Sequence, residues 1–307
     1  MSRAVVFAYH NVGVRCLQVL LARGVDVALV VTHKDNPAET IWFESVADLA
    51  ARHDIPTITP DDPNTEAVMA RVRAARPDFL FSFYYRHMLP QPLLATAPRG
   101  AYNMHGSLLP KYRGRVPVNW AVIHGEAETG ATLHAMEAKP DSGHIVDQFA
   151  VPILPDDTAQ DVFEKVTVAA ELVLWRCLPA LLDGTAKFTT QDLGRGSYFG
   201  GRKPEDGRMR PDMSAAQLHN FVRALTRPYP GAFADLAEGR LQIWRTRHDG
   251  RVGEAPAAAE LSADRGHLRV VCRDGGVLRV TEATLGGEPL TAQSFAAQFT
   301  QPAVLPG

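Results

Sequence analysis

Over the first half of the chain, β-branched runs alternate with helically spaced apolar residues, and this alternation limits the fold more than any other feature. Ala4–Ala8 is a short apolar run, Val14–Ala22 carries Leu and Val at helical spacing, and Val25–Val31 is a second β-branched run. The chain therefore opens as a strand–helix–strand unit. The same pattern predicts a helix over Phe43–Arg52, a strand at Pro56–Ile58, a helix over Thr65–Ala75 and a buried strand at Asp78–Phe83. Such alternation implies α/β architecture, a mostly parallel sheet with helices on both faces, and ligands at the carboxyl ends of its strands. The turn after the first strand, AYHNVG, lacks the G-x-G-x-x-G that brings a pyrophosphate onto the backbone, which weakens a dinucleotide-binding reading.

Farther along, Ala101–His105 reads as a strand end, Val116–Gly125 as a helix opening at Pro117, and Gly130–Met136 and His144–Pro152 as two strands joined by EAKPDSG. Asp157–Leu182 has a long helical pattern with Gly184 as its stop. Thr189–Arg210 is rich in glycine and charge and reads as a linker. Beyond it a helix at Ser214–Ala224 and strands at Leu241–Thr246, His267–Cys272 and Val277–Ala283 suggest a small barrel. At 307 residues, two domains are expected. They are drawn at 1–190 and 206–307, with 191–205 between them.

Charge narrows the partners. With 32 basic against 34 acidic residues the net charge is −2, so no global positive field favours nucleic acid. Cys16, Cys177 and Cys272 lie far apart and form neither a disulfide framework nor a metal pair. His124, His134 and His144 lack metal-ligand spacing and are read as structural, so no metal site is expected. No run reaches the ~20 apolar residues of a membrane span, and SRAVVFAYH enters a strand without a leader; the expectation is a cytoplasmic protein without a membrane partner.

The chemistry is concentrated in Asn103–Pro117, NMHGSLLPKYRGRVP. Side chains two apart on a strand share a face, so Asn103 and His105 can act on one atom. An amide donates hydrogen bonds without carrying charge, and an imidazole accepts, donates or shuttles a proton; together they suit a carbonyl turning tetrahedral. A bare N-x-H is more ordinarily a strand end with a satisfied surface histidine. Likewise Pro-Asp-Ser-Gly is ordinary turn chemistry, and on spacing alone Asp141 is a turn former.

The string SLLPKYRG directly after N-x-H resembles the signature of the folate-dependent formyltransferases, and the likeness extends from VVFAYH at Val5 to RPYPGAF ending at Phe233. The resemblance implies a Rossmann-like catalytic domain followed by a smaller OB-like β-barrel domain. It also implies transfer of a formyl group from 10-formyltetrahydrofolate to an amine. Within the family the likeness is greatest to the formyltransferase part of the bifunctional polymyxin-resistance enzyme. That points to UDP-4-amino-4-deoxy-L-arabinose as acceptor and to lipid A modification. The family's methionyl-tRNA formyltransferases share the layout and are the alternative. They carry a basic loop after the second strand, where this chain has THKDNPAETIW, one Lys balanced by Asp35 and Glu39. Transfer RNA is therefore an unexpected partner, while folate and a nucleotide sugar are expected ones.

By the same resemblance Asn103, His105 and Asp141 are the catalytic residues, Asp141 pairing with the motif histidine. His87, Met88, Leu89, Arg115, Glu137, Ala138, Lys139, Pro140 and Asp141 are the candidate folate contacts. Phe83, Tyr84 and Tyr85 read as the end of a core strand, and Lys111 and Arg113 as weaker candidates for acceptor phosphate contacts. An inactive folate-binding protein and a hydrolase of the formyl donor remain as other readings of the same residues.

Overall fold

The computed structural model describes residues 1–37 and 40–306, and the backbone alone at 251–252. The expected balance of Lys34 by Glu39 thus falls in part outside the described residues.

In chain order the first part runs β1 (Arg3–Ala8), α1 (His10–Ala22), β2 (Asp26–Val31), α2 (Val46–Arg52), β3 (Thr57–Ile58), α3 (Glu66–Ala75), β4 (Phe79–Phe83), α4 (Gln91–Leu94), β5 (Ala101–His105), β6 (Arg113–Gly114), α5 (Pro117–Ile123), β7 (Glu128–Ala135), β8 (Ile145–Pro152), α6 (Ala159–Asp183) and β9 (Tyr198–Phe199). The main sheet has the order β3-β2-β1-β4-β5-β7-β8. Its first five strands are parallel, whereas β7 and β8 run antiparallel. The central strands are buried over Ala4–Ala8 and Phe79–Phe83, which is why they read as unbroken apolar runs rather than alternating ones. One core cluster joins Val5, Phe7, Leu29, Val31, Leu80, Leu89 and Leu93.

Helix boundaries moved where caps decide them. The helix expected from Phe43 starts at Val46, because the Ser45 side chain accepts the Asp48 N–H. The one expected from Asp157 starts at Ala159, behind a reciprocal pair in which Asp161 Oδ2 accepts from Thr158 N and Thr158 Oγ1 accepts from Asp161 N. By contrast α1 begins directly after β1, four residues before its apolar spacing becomes legible, behind Tyr9, whose side chain bonds Asp35 rather than capping the helix.

The second part runs α7 (Ala215–Leu225), β10 (Ala232–Leu236), β11 (Gly239–Val252), β12 (Glu260–Asp264), β13 (His267–Val271), β14 (Gly276–Leu285), β15 (Glu288–Pro289), α8 (Ala292–Gln298) and β16 (Ala303–Val304). Its strands form a barrel-like antiparallel sheet of order β10-β11-β14-β13-β12-β16, with β15 on β14. Register shifts along β11 opposite β14 bend that long strand. The expected strands Leu241–Thr246 and Val277–Ala283 lie within β11 and β14, and the one expected over His267–Cys272 is β13, which ends at Val271. Missed were β10, close behind a proline-rich turn, the polar β12, and β16 in the proline-containing tail.

Two compact units result. One comprises residues 1–117, 128–152 and 163–200, the other 118–127, 153–162 and 201–307. The segment read as a linker contributes β9, which pairs in parallel with β6 in the first unit. Among the described residues no helix is long and apolar enough to cross a membrane.

Candidate active site

The site forms where β5 ends. Its antiparallel register with β7 sets Asn103 opposite His134, and cross-strand partners present their side chains on the same face. Asn103 Nδ2 lies 3.2 Å from His134 Nε2. His105, two residues on, shares that face.

The third member comes from the loop between β7 and β8. Asp141 Oδ1 lies 3.5 Å from His105 Nδ1, 3.3 Å from His134 Nε2 and 3.4 Å from Asn103 Nδ2. Its Oδ2 accepts the Gly114 N–H at 2.8 Å. The three residues read from the motif and its resemblance are thus brought together around one carboxylate, and His134, read as a structural histidine, joins them. Only a pairing register could have exposed His134, since it stands 31 residues from Asn103 in sequence.

Hydrogen-bond partners constrain the imidazoles. A carbonyl oxygen only accepts, so His105 Nε2–H donates to Tyr112 O at 2.8 Å and His134 Nδ1–H donates to Ala135 O at 2.8 Å. Each histidine therefore turns its other nitrogen to the same oxygen of Asp141. Burial alone would raise the Asp141 carboxyl. The charge of His105, the hydrogen bond and charge of His134, and the Gly114 N–H outweigh it and hold the carboxyl below the usual carboxylate range.

Asp141 has φ +50, a strained value for a residue with a Cβ. The loop is held by Gln191, whose Nε2 donates to Asp141 O at 3.1 Å and to Gly143 O at 2.6 Å. Gly143 cannot carry a side chain, because a Cβ there would lie 2.0 Å from Ala135 O. Gln191 was not singled out from sequence; it lies 50 residues from Asp141, in a stretch that reads as linker.

The remaining candidates are spread around this centre. Glu137, Ala138 and Lys139 are exposed and Pro140 half-buried in the loop that leads to Asp141. Past the end of β4, His87 and Met88 are exposed, and the His87 ring tilts against His33 and Tyr85 at 5.3 and 5.9 Å. The Leu89 side chain is buried in the core, so its contact with a ligand would go through the main chain. Arg115 is exposed and its N–H donates to Phe199 O. Arg113 is half-buried, with its Nε sealed from solvent and making no hydrogen bond.

A second cluster sits at the end of β1, in the turn that the sequence offered only as a failed dinucleotide motif. His10 has φ +66, stacks on Phe43 at 3.9 Å and meets Trp42 and Phe163 edge-on. Burial, with Arg86 adding to it, pushes its pKa down to about 3, which keeps the ring neutral.

Comparison with known proteins gives this geometry a context. The family model described as formyl transferase matches residues 6–178, more than half of the chain, and the model of the formyl transferase C-terminal domain matches residues 202–300. Among solved structures, an N-formyltransferase from Helicobacter canadensis in complex with folinic acid and dTDP-3-aminofucose is similar at TM-score 0.69 and 19% identity, over 91% of this chain and 99% of that one. WlaRD, a sugar 3N-formyltransferase with dTDP and 5-N-formyl-THF, also gives 0.69 and 19%, over 91% and 97%. A methionyl-tRNA formyltransferase from Clostridium thermocellum gives 0.56 and 17%, over 82% and 95%.

Proposed function

Because the chain belongs to the formyl transferase family in both its N-terminal and its C-terminal parts, we propose that it moves a formyl group from 10-formyltetrahydrofolate to the amine of a nucleotide-linked amino sugar, with UDP-4-amino-4-deoxy-L-arabinose as the acceptor. The observation that carries the reading is the meeting of Asn103, His105 and Asp141 at the carboxyl end of β5. The acceptor nitrogen attacks the formyl carbon, the carbonyl oxygen takes up negative charge, and the bond to the folate nitrogen then breaks. Asn103 is the donor for that oxygen: its amide nitrogen carries two hydrogens, so the one facing His134 Nε2 can turn to the oxyanion while the other stays on Asp141. His105 receives the proton the amine loses and returns it to the leaving nitrogen. Asp141 fixes the imidazole and offsets its charge, while positioning and electrostatics supply the rest of the acceleration.

The donor site is proposed along His87–Leu89, Arg115 and Glu137–Asp141. Two solved relatives, in their own structures, hold a folate together with a dTDP-sugar or dTDP, which supports a nucleotide-sugar acceptor. The net charge of −2 gives no general attraction for tRNA.

Formyl transfer measured on UDP- and dTDP-linked amino sugars and on methionyl-tRNA, across a salt series, tests the acceptor. Efficient transfer to UDP-4-amino-4-deoxy-L-arabinose with shallow salt dependence is expected. Steeply salt-sensitive transfer to the tRNA, with none to any sugar, overturns it.

A further inference from the structure

Two positions at neighbouring strand ends fit together. The parallel register of β4 and β5 pairs Phe83 with Met104, so a regular continuation would run Tyr84 alongside His105. Instead Tyr84 has φ +57, a conformation that a residue with a large side chain adopts at a cost. The left-handed turn ends β4 and carries the phenol across to β5. A Cβ built on Gly106, the residue directly after His105, would lie 1.9 Å from the Tyr84 hydroxyl oxygen and 3.0 Å from its ring carbon Cζ. Gly106 is not among the positive-φ glycines, so its backbone would tolerate another residue. What demands glycine there is the space that Tyr84 occupies.

Behind Tyr84 the ring is backed edge-on by Phe163 at 5.5 Å, and Phe163 in turn meets His10 at 4.6 Å. The main chain beneath is anchored as well, since Phe83 O accepts the Tyr9 N–H at 3.0 Å. From these contacts we propose that Tyr84 is a positioning residue for His105. Its phenol, seated in the notch left by Gly106, fixes the end of β5, so that His105 stands at once within reach of Asp141 and of Tyr112 O. The strain at Tyr84 is the consequence of aiming a β4 side chain at the end of the next strand. The structural part of the proposal stands alone, while its kinetic part rests on the formyl-transfer reading.

The test compares Tyr84→Phe, Tyr84→Leu, Gly106→Ala and the double variant Gly106→Ala/Tyr84→Phe. Four readouts serve: thermal stability, kcat and KM for formyl transfer, and the 15N shifts of the His105 imidazole. Misplacement of a catalytic group by about 1 Å can cost on the order of 10²-fold, so Gly106→Ala is expected to lower kcat by about that factor with KM nearly unchanged, and to move the His105 shifts. Tyr84→Phe, which keeps the ring, should lose little. In the double variant the clashing hydroxyl is gone and only the 3.0 Å approach to the ring remains, so most of the kcat and the His105 shifts should return. Should Gly106→Ala fail to fold, Tyr84→Leu leaves Gly106 intact and is still expected to displace the His105 shifts and lower kcat. Unchanged kcat and His105 shifts in both Gly106→Ala and Tyr84→Leu, or a double variant no better than Gly106→Ala alone, overturn the proposal. A wild type that formylates no amino sugar overturns the acceptor reading instead and leaves the shift measurements to decide this one.

Discussion

The end of β5 and the junction of α7 with β11 both bury ionisable groups, but they treat them in opposite ways. In the second unit His219 donates Nε2–H to Pro155 O and takes a hydrogen bond from Thr246 on Nδ1. Arg223 there reaches Asn220 and the carbonyls of Leu154 and Asp157. Burial pushes both groups toward their neutral forms, and their partners are chiefly neutral oxygens. At the end of β5 a buried carboxylate is instead held ionised between two imidazoles. Backbone strain follows the same division. His10, Asp54, Arg76, Tyr84, Tyr112, Val116 and Asp141 have positive φ in the first unit, against Arg265 alone among the described non-glycine residues of the second. Arg265 is explained by its two-residue hairpin between β12 and β13, whereas Tyr84, Tyr112 and Asp141 touch the site. A polar network that only holds a fold is satisfied and relaxed; one arranged for chemistry retains strain and charge.

The sharpest break in this comparison is Asn103→Ala, which is expected to lower kcat on the order of 10²–10³-fold, the usual cost of one oxyanion donor. The melting temperature should hardly change. Near-normal kcat in a folded variant would move the site elsewhere. Next in size, His134→Phe removes one partner of the ionised Asp141; with hydrogen bonds to charged groups worth roughly 1.5–3 kcal/mol, kcat should fall about 10- to 100-fold. An unaltered rate would return His134 to a purely structural part.

The second unit should respond the other way round. Arg223→Met strips the Leu154 and Asp157 carbonyls of a buried donor and is expected to cost about 1–3 kcal/mol of stability, read by denaturant unfolding, with kcat per folded molecule unchanged. A loss of kcat without loss of stability would erase the contrast between the two regions.

The smallest effects concern pH. Because the folded Asp141 carboxyl lies below its unfolded value of ~3.9, its stabilisation is complete above that value and is lost as pH falls through the folded one. The stability gap between wild type and Asp141→Asn should therefore be constant near neutrality and narrow only in strong acid. His10 acts higher on the scale. Its folded value of about 3 lies below the ordinary 6.5, so as pH falls the unfolded chain takes up the proton first and stability is lost between those two values. His10→Phe, stacked on Phe43, should flatten that part of the curve, and a curve parallel to wild type would show that His10 is not buried neutral.

Much of the architecture was legible because it rests on local rules. β-branched runs and helical spacing revealed the parallel core, and Asn103 and His105 were readable because a strand places residues two apart on one face. The loops and tail were less legible, since β12 is polar, while β9 and β16 are short and gain their hydrogen bonds from partners distant in sequence.

What the sequence determined by itself is therefore the order of elements, the N-x-H pair and the family signature around them. Only the tertiary structure decided that His134 would face Asn103, that Gln191 would clamp the loop of Asp141, and that Tyr84 would fill the space left by Gly106. The physical reason is that a pairing register, a left-handed residue and a missing Cβ acquire meaning only when a second segment lies against them. No spacing within either segment records which partner that will be.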